Sequence, residues 1–203
     1  MSTNNVLVHE SIADDFISIL QQETKEIRAG HQVDDKHQLR GLYDQASAKR
    51  IADLVDDGIA RGAKLVVGNH DIHQNIEGSV VQPIVLDHVV QGMRVADEEI
   101  FGPVLGITRF RTDEEAIQIA NSSQYGLASA IHSRDISRAL KIAQKLDAAG
   151  VHINSFTLRT HANHPYGGSK ASGFGRFNGL EGIREFTQSK VITITNIGVT
   201  PNL

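Results

Sequence analysis

Apolar positions along this chain follow two alternating periods. Val6-Leu7-Val8 is a short apolar run. After a capping Ser11, the spacing of Ile12, Phe16, Ile17, Ile19 and Leu20 predicts a helix that stops at Gly30. Ala46, Ile51, Leu54, Val55 and Ile59 predict a second amphipathic helix ending near Gly62, then a strand over 64–67 closed by the turn pair Gly68-Asn69. Residues 71–78 read as a polar loop. Residues 79–86 are β-branched and read as one strand, placed at an edge or a bulge by Pro83. A further strand is predicted over 105–110, and Thr112 with Glu115 makes a capping-box pattern before Ala116, Ile117, Ile119 and Ala120. A short strand over 128–132 precedes a helix with Ile136, Ala139, Leu140, Ala143 and Leu146 on one face. Gly150 is predicted to end that helix, and the chain returns to strand over 151–154.

Strands separated by helices of this length indicate βαβ units. The predicted fold class is α/β, a largely parallel sheet with helices on both faces. From Pro165 to Gly182 the texture changes, with six glycines in eighteen residues. Val191-Ile192-Thr193-Ile194-Thr195 then forms a β run that is expected to pair with another subunit or to add an edge to its own sheet. The expected division is a domain over 1–189 and an oligomerisation strand and tail over 190–203.

Composition narrows the function classes. With 203 residues, 40% hydrophobic and 22% charged, the chain is an ordinary globular one, long enough for a core without staples. A net charge of -4 gives no general attraction to nucleic acid or to an anionic membrane. The polar start and the lack of about 18 consecutive apolar residues lead to the expectation of a cytoplasmic protein without signal or membrane span. The absence of cysteine removes disulfides, thiolate metal sites and a cysteine nucleophile from this chain.

Several generic chemistries find no anchor. Lys170 does not follow a glycine and precede Ser or Thr, as a Walker loop requires. Gly173, Gly175 and Gly179 are spaced one residue too widely for a dinucleotide fingerprint. The glycine-rich stretch reads instead as a loop in which backbones pass closely. His70 with His73, and His161 with His164, are spaced i, i+3 in loops rather than on helices, and read as solvated pairs, not metal ligands. His152 alternates with Val151 and Ile153 and reads as half-buried and hydrogen-bonded. No G-x-S-x-G elbow supports a serine hydrolase. The acidic run 97–99 is different, because Gly102-Pro103 holds Glu99 and Phe101 on a rigid segment before a strand. If that segment is extended, both side chains share a face. A carboxylate could then accept from a ribose while the ring borders a flat heterocycle.

Glu99-Ile100-Phe101-Gly102-Pro103 resembles the E-x-F-G-P motif of the aldehyde dehydrogenase superfamily. Further resemblances follow in order along the chain: Gly62-Ala63-Lys64-Leu65, Gln82-Pro83, Tyr125-Gly126-Leu127-Ala128 and 150–154. Residues 165–173 resemble the family's P-F-G-G-x-K-x-S-G loop. The match covers the C-terminal two-fifths of a typical member. The resemblance implies an NAD- or NADP-dependent oxidation of aldehydes to acids, begun by a cysteine thiolate. It assigns Glu99 to the nicotinamide ribose and Phe101 to the nicotinamide ring, and places Asn154 and Tyr166 at the substrate pocket. Tyr166 stands where phenylalanine is commoner. Phe177 stands where many members carry glutamate, a variant that resembles the branch acting on salicylaldehyde and vanillin.

Residues 1–8 resemble what members carry just after the catalytic cysteine. The chain is therefore expected to lack the nucleophile, the general base and the cofactor domain, to bind no cofactor tightly, and to be inactive alone. Its expected partners are a small aldehyde in the complete enzyme and a homo- or hetero-oligomer formed through Val191–Thr195. The alternative is a non-catalytic subunit that associates with a full-length relative.

Overall fold

The computed structural model describes residues 3–31, 37–69 and 71–195, apart from the side chains of Ile72 and Asn75. Met1, Ser2, His70 and the tail 196–203, all part of the expectations above, lie outside the described residues.

Strand β1 (Asn5–His9) leads into helix α1 (Glu10–Thr24). The cap is His9 rather than Ser11: the His9 imidazole accepts from the Ser11 N–H at 3.2 Å. The helix stops at Thr24, six residues short of Gly30. Gly30 belongs instead to β2 (Ala29–Gly30), which pairs in parallel with β3 (Leu39–Arg40). Helix α2 (Gln45–Ala60) and strand β4 (Lys64–Val67) fall where the pattern predicts them. The polar loop 71–78 contains a 3-10 turn and β5 (Ile76–Glu77), which pairs with β6 (Val80–Val81). The strand expected over 79–86 is thus broken. Gln82-Pro83 interrupts it, because proline has no N–H for the ladder, and β7 (Ile84–Asp87) starts afresh behind it.

After the single-turn helix α3 (Arg94–Asp97), strand β8 (Val104–Phe110) completes a four-stranded sheet of order β1-β8-β7-β4. The β1·β8 and β7·β8 pairings are parallel, and β4 joins antiparallel. Both faces are covered, because side chains alternate across each strand. Ile84, Leu86 and Val104 pack with Ile51 and Val55 of α2. Val85 and Ile107 pack with Ala13, Phe16 and Leu20 of α1. Proline thus precedes an interior strand instead of marking an edge.

The remaining strands form small sheets beside this one. Helix α4 (Asp113–Ser122) is capped by Thr112, whose side chain accepts from the Glu115 N–H at 3.2 Å. Strand β9 (Tyr125–Gly126) precedes β10 (Ala128–Ile131). Helix α5 (Ile136–Ala143) ends well before Gly150, which is the first residue of β11 (Gly150–Ile153). The pair β10–β11 is parallel. Strand β12 (Ser169–Lys170) pairs antiparallel with β9, and helix α6 (Gly179–Glu185) follows. Among the described residues the expected single sheet is therefore one of four strands with several two-stranded satellites. No helix among them is long and apolar enough to cross a membrane.

The β run at the C-terminus is not a strand. Val191, Ile192 and Ile194 are 85%, 76% and 91% exposed and join no sheet. Of the two pairings expected for Val191–Thr195, the one inside its own sheet is not made. A lone β-branched segment has no ladder to hold it extended.

Candidate functional site

The segment 98–103 is fixed from three directions. Ile100, 1% exposed, is the inward anchor in the α2 core. Its N–H donates to Asn4 Oδ1 at 3.1 Å, which ties it to the start of the chain. From α2, Arg50 Nη2 donates to the Glu99 carbonyl at 3.0 Å and also to the Ile100 carbonyl. Glu98 is ion-paired with Arg94 at 2.6 Å, and the hydrogen bond from that guanidinium, outweighing burial, holds its carboxyl below the usual range. Gly102 closes the turn against α2, where any Cβ would overlap Ile51 Cδ1. The Ile84 N–H donates to the Pro103 carbonyl at 2.9 Å and docks the turn onto the sheet.

With Ile100 inward, Glu99 and Phe101 on either side of it are exposed. Phe101 is 77% exposed and holds φ at +55°. A left-handed conformation costs a bulky residue of order 1–3 kcal/mol and persists only where its surroundings impose it. Here Ile100 and the Arg50 bonds on one side, and the Gly102-Pro103 turn on the other, impose it. Asn154 also holds a left-handed φ, +51°. Its amide is held at both ends: Oδ1 accepts from the Ser133 N–H and Nδ2 donates to the Ser133 carbonyl, each at 2.9 Å. Asn154 therefore locks the ends of β10 and β11 together.

Tyr166 is placed by its cross-strand partner. Tyr166 and Phe177 exchange backbone hydrogen bonds at 2.8 and 2.7 Å, and their rings meet edge to face with centroids 5.0 Å apart. Phe177, singled out in the sequence as a departure from the family pattern, is thus the support for Tyr166. Behind Tyr166 lies a cavity of about 390 Å³. Of its lining residues, Leu127, Val151, His152 and Ile153 are half-buried, whereas Arg159, His161 and His164 are exposed at its rim. Asn154 is flanked by two lining residues, Ile153 and Ser155. Glu99 and Phe101 do not line this cavity; they stand on the four-stranded sheet's unit.

The glycine-rich stretch is a packing element, as its spacing suggested. Arg176 Nη1 donates to the carbonyls of Gly168 and Gly175, both at 2.7 Å. Lys170 is occupied by the carbonyls of Asn121 and Ser123, both at 3.0 Å, and by Asp147 at 3.1 Å, so it is a strut and not a phosphate ligand. Among the described residues no three His, Asp or Glu side chains converge as a metal site. His161 and His164, read as solvated in the sequence, have ring centroids 5.1 Å apart on the cavity rim. Arg50 and Arg159 had no local signal in the sequence. Arg50 acts on residues 49 and 50 positions away, and Arg159 lies in a loop with no regular spacing.

Comparison with known proteins gives a consistent answer. The profile of the aldehyde dehydrogenase family matches residues 1–192. The chain is 41% identical over 196 residues to a vanillin dehydrogenase of Pseudomonas fluorescens, covering 97% of this chain and 40% of that protein. It is 40% identical over 195 residues to a salicylaldehyde dehydrogenase of Pseudomonas putida, covering 96% and 39%. Among solved structures, the salicylaldehyde dehydrogenase of Pseudomonas putida G7 complexed with salicylaldehyde matches with a TM-score of 0.83 and 37% identity, over 98% of this chain and 40% of that one. The betaine aldehyde dehydrogenase of Staphylococcus aureus in complex with NAD+ matches with a TM-score of 0.83 and 34% identity, over 98% and 41%. The chain thus spans about 40% of the length of the curated relatives it matches.

Proposed function

Since the chain belongs to the aldehyde dehydrogenase family, we propose that it supplies the nicotinamide-side contacts and one substrate wall of an NAD(P)-dependent enzyme that oxidises aromatic aldehydes to acids. The observation that carries this reading is the inward Ile100 with Glu99 and Phe101 outward on either side. Those two residues fit the cofactor's nicotinamide half. An exposed carboxylate accepts from ribose hydroxyls, and a ring held at a left-handed φ borders a flat heterocycle. When bound, the cofactor supplies the hydride acceptor. Tyr166 contributes its ring to the substrate wall, and Asn154 fixes that wall by clamping Ser133. The Phe177–Tyr166 ring pair and the similarity to vanillin and salicylaldehyde dehydrogenases support an aromatic substrate.

These 203 residues contain no cysteine, so no thiolate of this chain attacks the aldehyde, and we propose that the chain alone does not turn over. The pure chain, given NAD+ and benzaldehyde, is expected to form no NADH. Magnetisation transfer from nicotinamide mononucleotide to the Phe101 ring is expected, and it should weaken in Glu99→Gln. Aldehyde-dependent NADH would sink the inactivity of the chain alone. An absence of contact with Phe101 would sink the cofactor assignment.

A second reading rests on the exposed apolar side chains of Val191, Ile192 and Ile194. In it the segment from 190 onward is an association strand, and the chain serves as a non-catalytic subunit beside a full-length relative. Sedimentation should then show dimers or larger species that dissociate in the Ile192→Lys/Ile194→Lys double variant. A wild-type chain that sediments as a monomer would count against it.

A further inference from the structure

The cavity behind Tyr166 has an uneven distribution of charge. Its walls include the apolar Leu127, Val151 and Ile153, and among the described residues no carboxylate lines it. Its polar lining consists mostly of donors. Arg159 carries a permanent charge and five N–H groups. Among the described residues it forms no ion pair, and one of its nitrogens donates to Ser155 Oγ at 3.3 Å. His152, His161 and His164 each present at least one ring N–H in any protonation state.

The rim is also held in place. The His164 N–H donates to the His161 carbonyl at 3.0 Å, and the Gly179 N–H donates to the Ala162 carbonyl at 3.0 Å, which closes the loop onto the start of α6. The Tyr166 ring is braced edge to face by the Phe177 ring. An apolar wall with an unpaired guanidinium and imidazole donors on the same cavity, and no carboxylate among its described lining residues, complements a ring that carries an anionic oxygen. Charge-assisted bonds of this kind are about twice as strong as neutral ones.

We propose that the substrate of this site is an aryl aldehyde bearing a second, anionic carboxylate substituent, which Arg159 and the His161–His164 pair select. This rests on the reading of the cavity as the substrate wall and names the substrate class within it. Arg159 is a specificity-determining residue here, remote from the reacting carbon.

The test is a titration of the full 203-residue chain, followed through the Tyr166 and His161 ring resonances. The probes are 4-carboxybenzaldehyde, 4-hydroxybenzaldehyde and the neutral 4-methylbenzaldehyde. The carboxylate is expected to bind the wild type about tenfold tighter than the methyl compound. Arg159→Gln should erase that preference and Arg159→Lys should keep part of it. 4-Hydroxybenzaldehyde below the pH at which its phenol ionises should bind no tighter than the methyl compound; if it matched the carboxylate, a hydrogen bond and not the charge would be selected and the proposal would fail. If both the charged and the neutral aldehyde bind equally, the selection is wrong and the substrate wall stands. If no probe moves either resonance in a folded chain, the substrate wall itself is wrong and the proposal falls with it.

Discussion

Asp87→Ala should destabilise the chain by about 3–5 kcal/mol, the cost of breaking a buried ion pair by removing one partner. For a chain of this size that corresponds to a fall in Tm of roughly 6–20 °C. Asp87 sits at the end of β7 with its side chain 4% exposed. Arg109 of β8 grips it with two nitrogens, Nε at 3.1 Å and Nη2 at 2.8 Å, and Nη2 reaches Asp14 of α1 at 2.7 Å. One guanidinium therefore ties two strands and the helix over them. Without Asp87, Arg109 is left in a largely buried position with only the exposed Asp14. The Asp87→Leu/Arg109→Met double variant, in which the whole pair becomes apolar, should return to within about 1 kcal/mol of wild type. Thermal melts of the single and double variants check both statements. A single variant that melts with wild type would show that the pair contributes nothing.

The same carboxylate gives a pH dependence with a defined sign. Burial pushes the Asp87 carboxyl up, but the Arg109 hydrogen bonds and the His88 N–H outweigh it and leave it below its ordinary value of 3.8. A carboxylate depressed in the folded state adds stability above its unfolded pKa and loses it as pH falls through the folded one. The stability gap between wild type and Asp87→Ala should therefore be constant above about pH 5 and narrow below about pH 4. A gap that widens on acidification would mean that Asp87 is neutral in the folded chain.

Much of the four-stranded sheet is legible in the sequence, because each of its elements carries its own local period. Helix α2 shows it best: the positions read as its apolar face include Ile51, Leu54 and Val55, all fully buried. Misjudged boundaries occur where a distant partner decides the local structure. Ala29-Gly30 leaves the helical register because Leu39-Arg40 offers it a strand partner. Gly150 is a strand residue because β10 lies alongside. The same holds at the candidate site. The rigid turn at Gly102-Pro103 and the outward pair Glu99 and Phe101 follow from adjacent residues. The Arg50 clamp and the Asn4 tether join positions 49 and 96 residues apart, which no spacing rule reaches. The terminal run 191–195 fails for the opposite reason: its β propensity is strong and the described chain offers it no ladder.

Gly168→Ala should cost about 3 kcal/mol, at the upper end for overpacking, because its new methyl meets backbone and not a side chain that could swing away. A Cβ there would lie 2.6 Å from Gly173 N and closer still to the Ser172 carbonyl carbon and oxygen. Those atoms cannot retreat cheaply. Ser172 Oγ accepts from the Gly126 N–H at 3.0 Å, Arg176 clasps the Gly168 and Gly175 carbonyls, and Ser169 pairs with Gly126 across β9 and β12. To admit the methyl, the loop must part along this seam, and Tyr166 lies two residues before it. The variant should therefore lose amide protection at Gly126 and Tyr166, and the cavity behind Tyr166 should open with them. Gly150→Ala is the matched control: its Cβ meets only His152 Nε2 at 3.5 Å and the Leu127 carbonyl at 3.9 Å, ordinary contacts. Denaturant midpoints and amide exchange of the two variants separate the cases. If Gly168→Ala matched Gly150→Ala in both, the loop would be too loose to hold Tyr166 against Phe177, and the substrate wall would lose its physical basis.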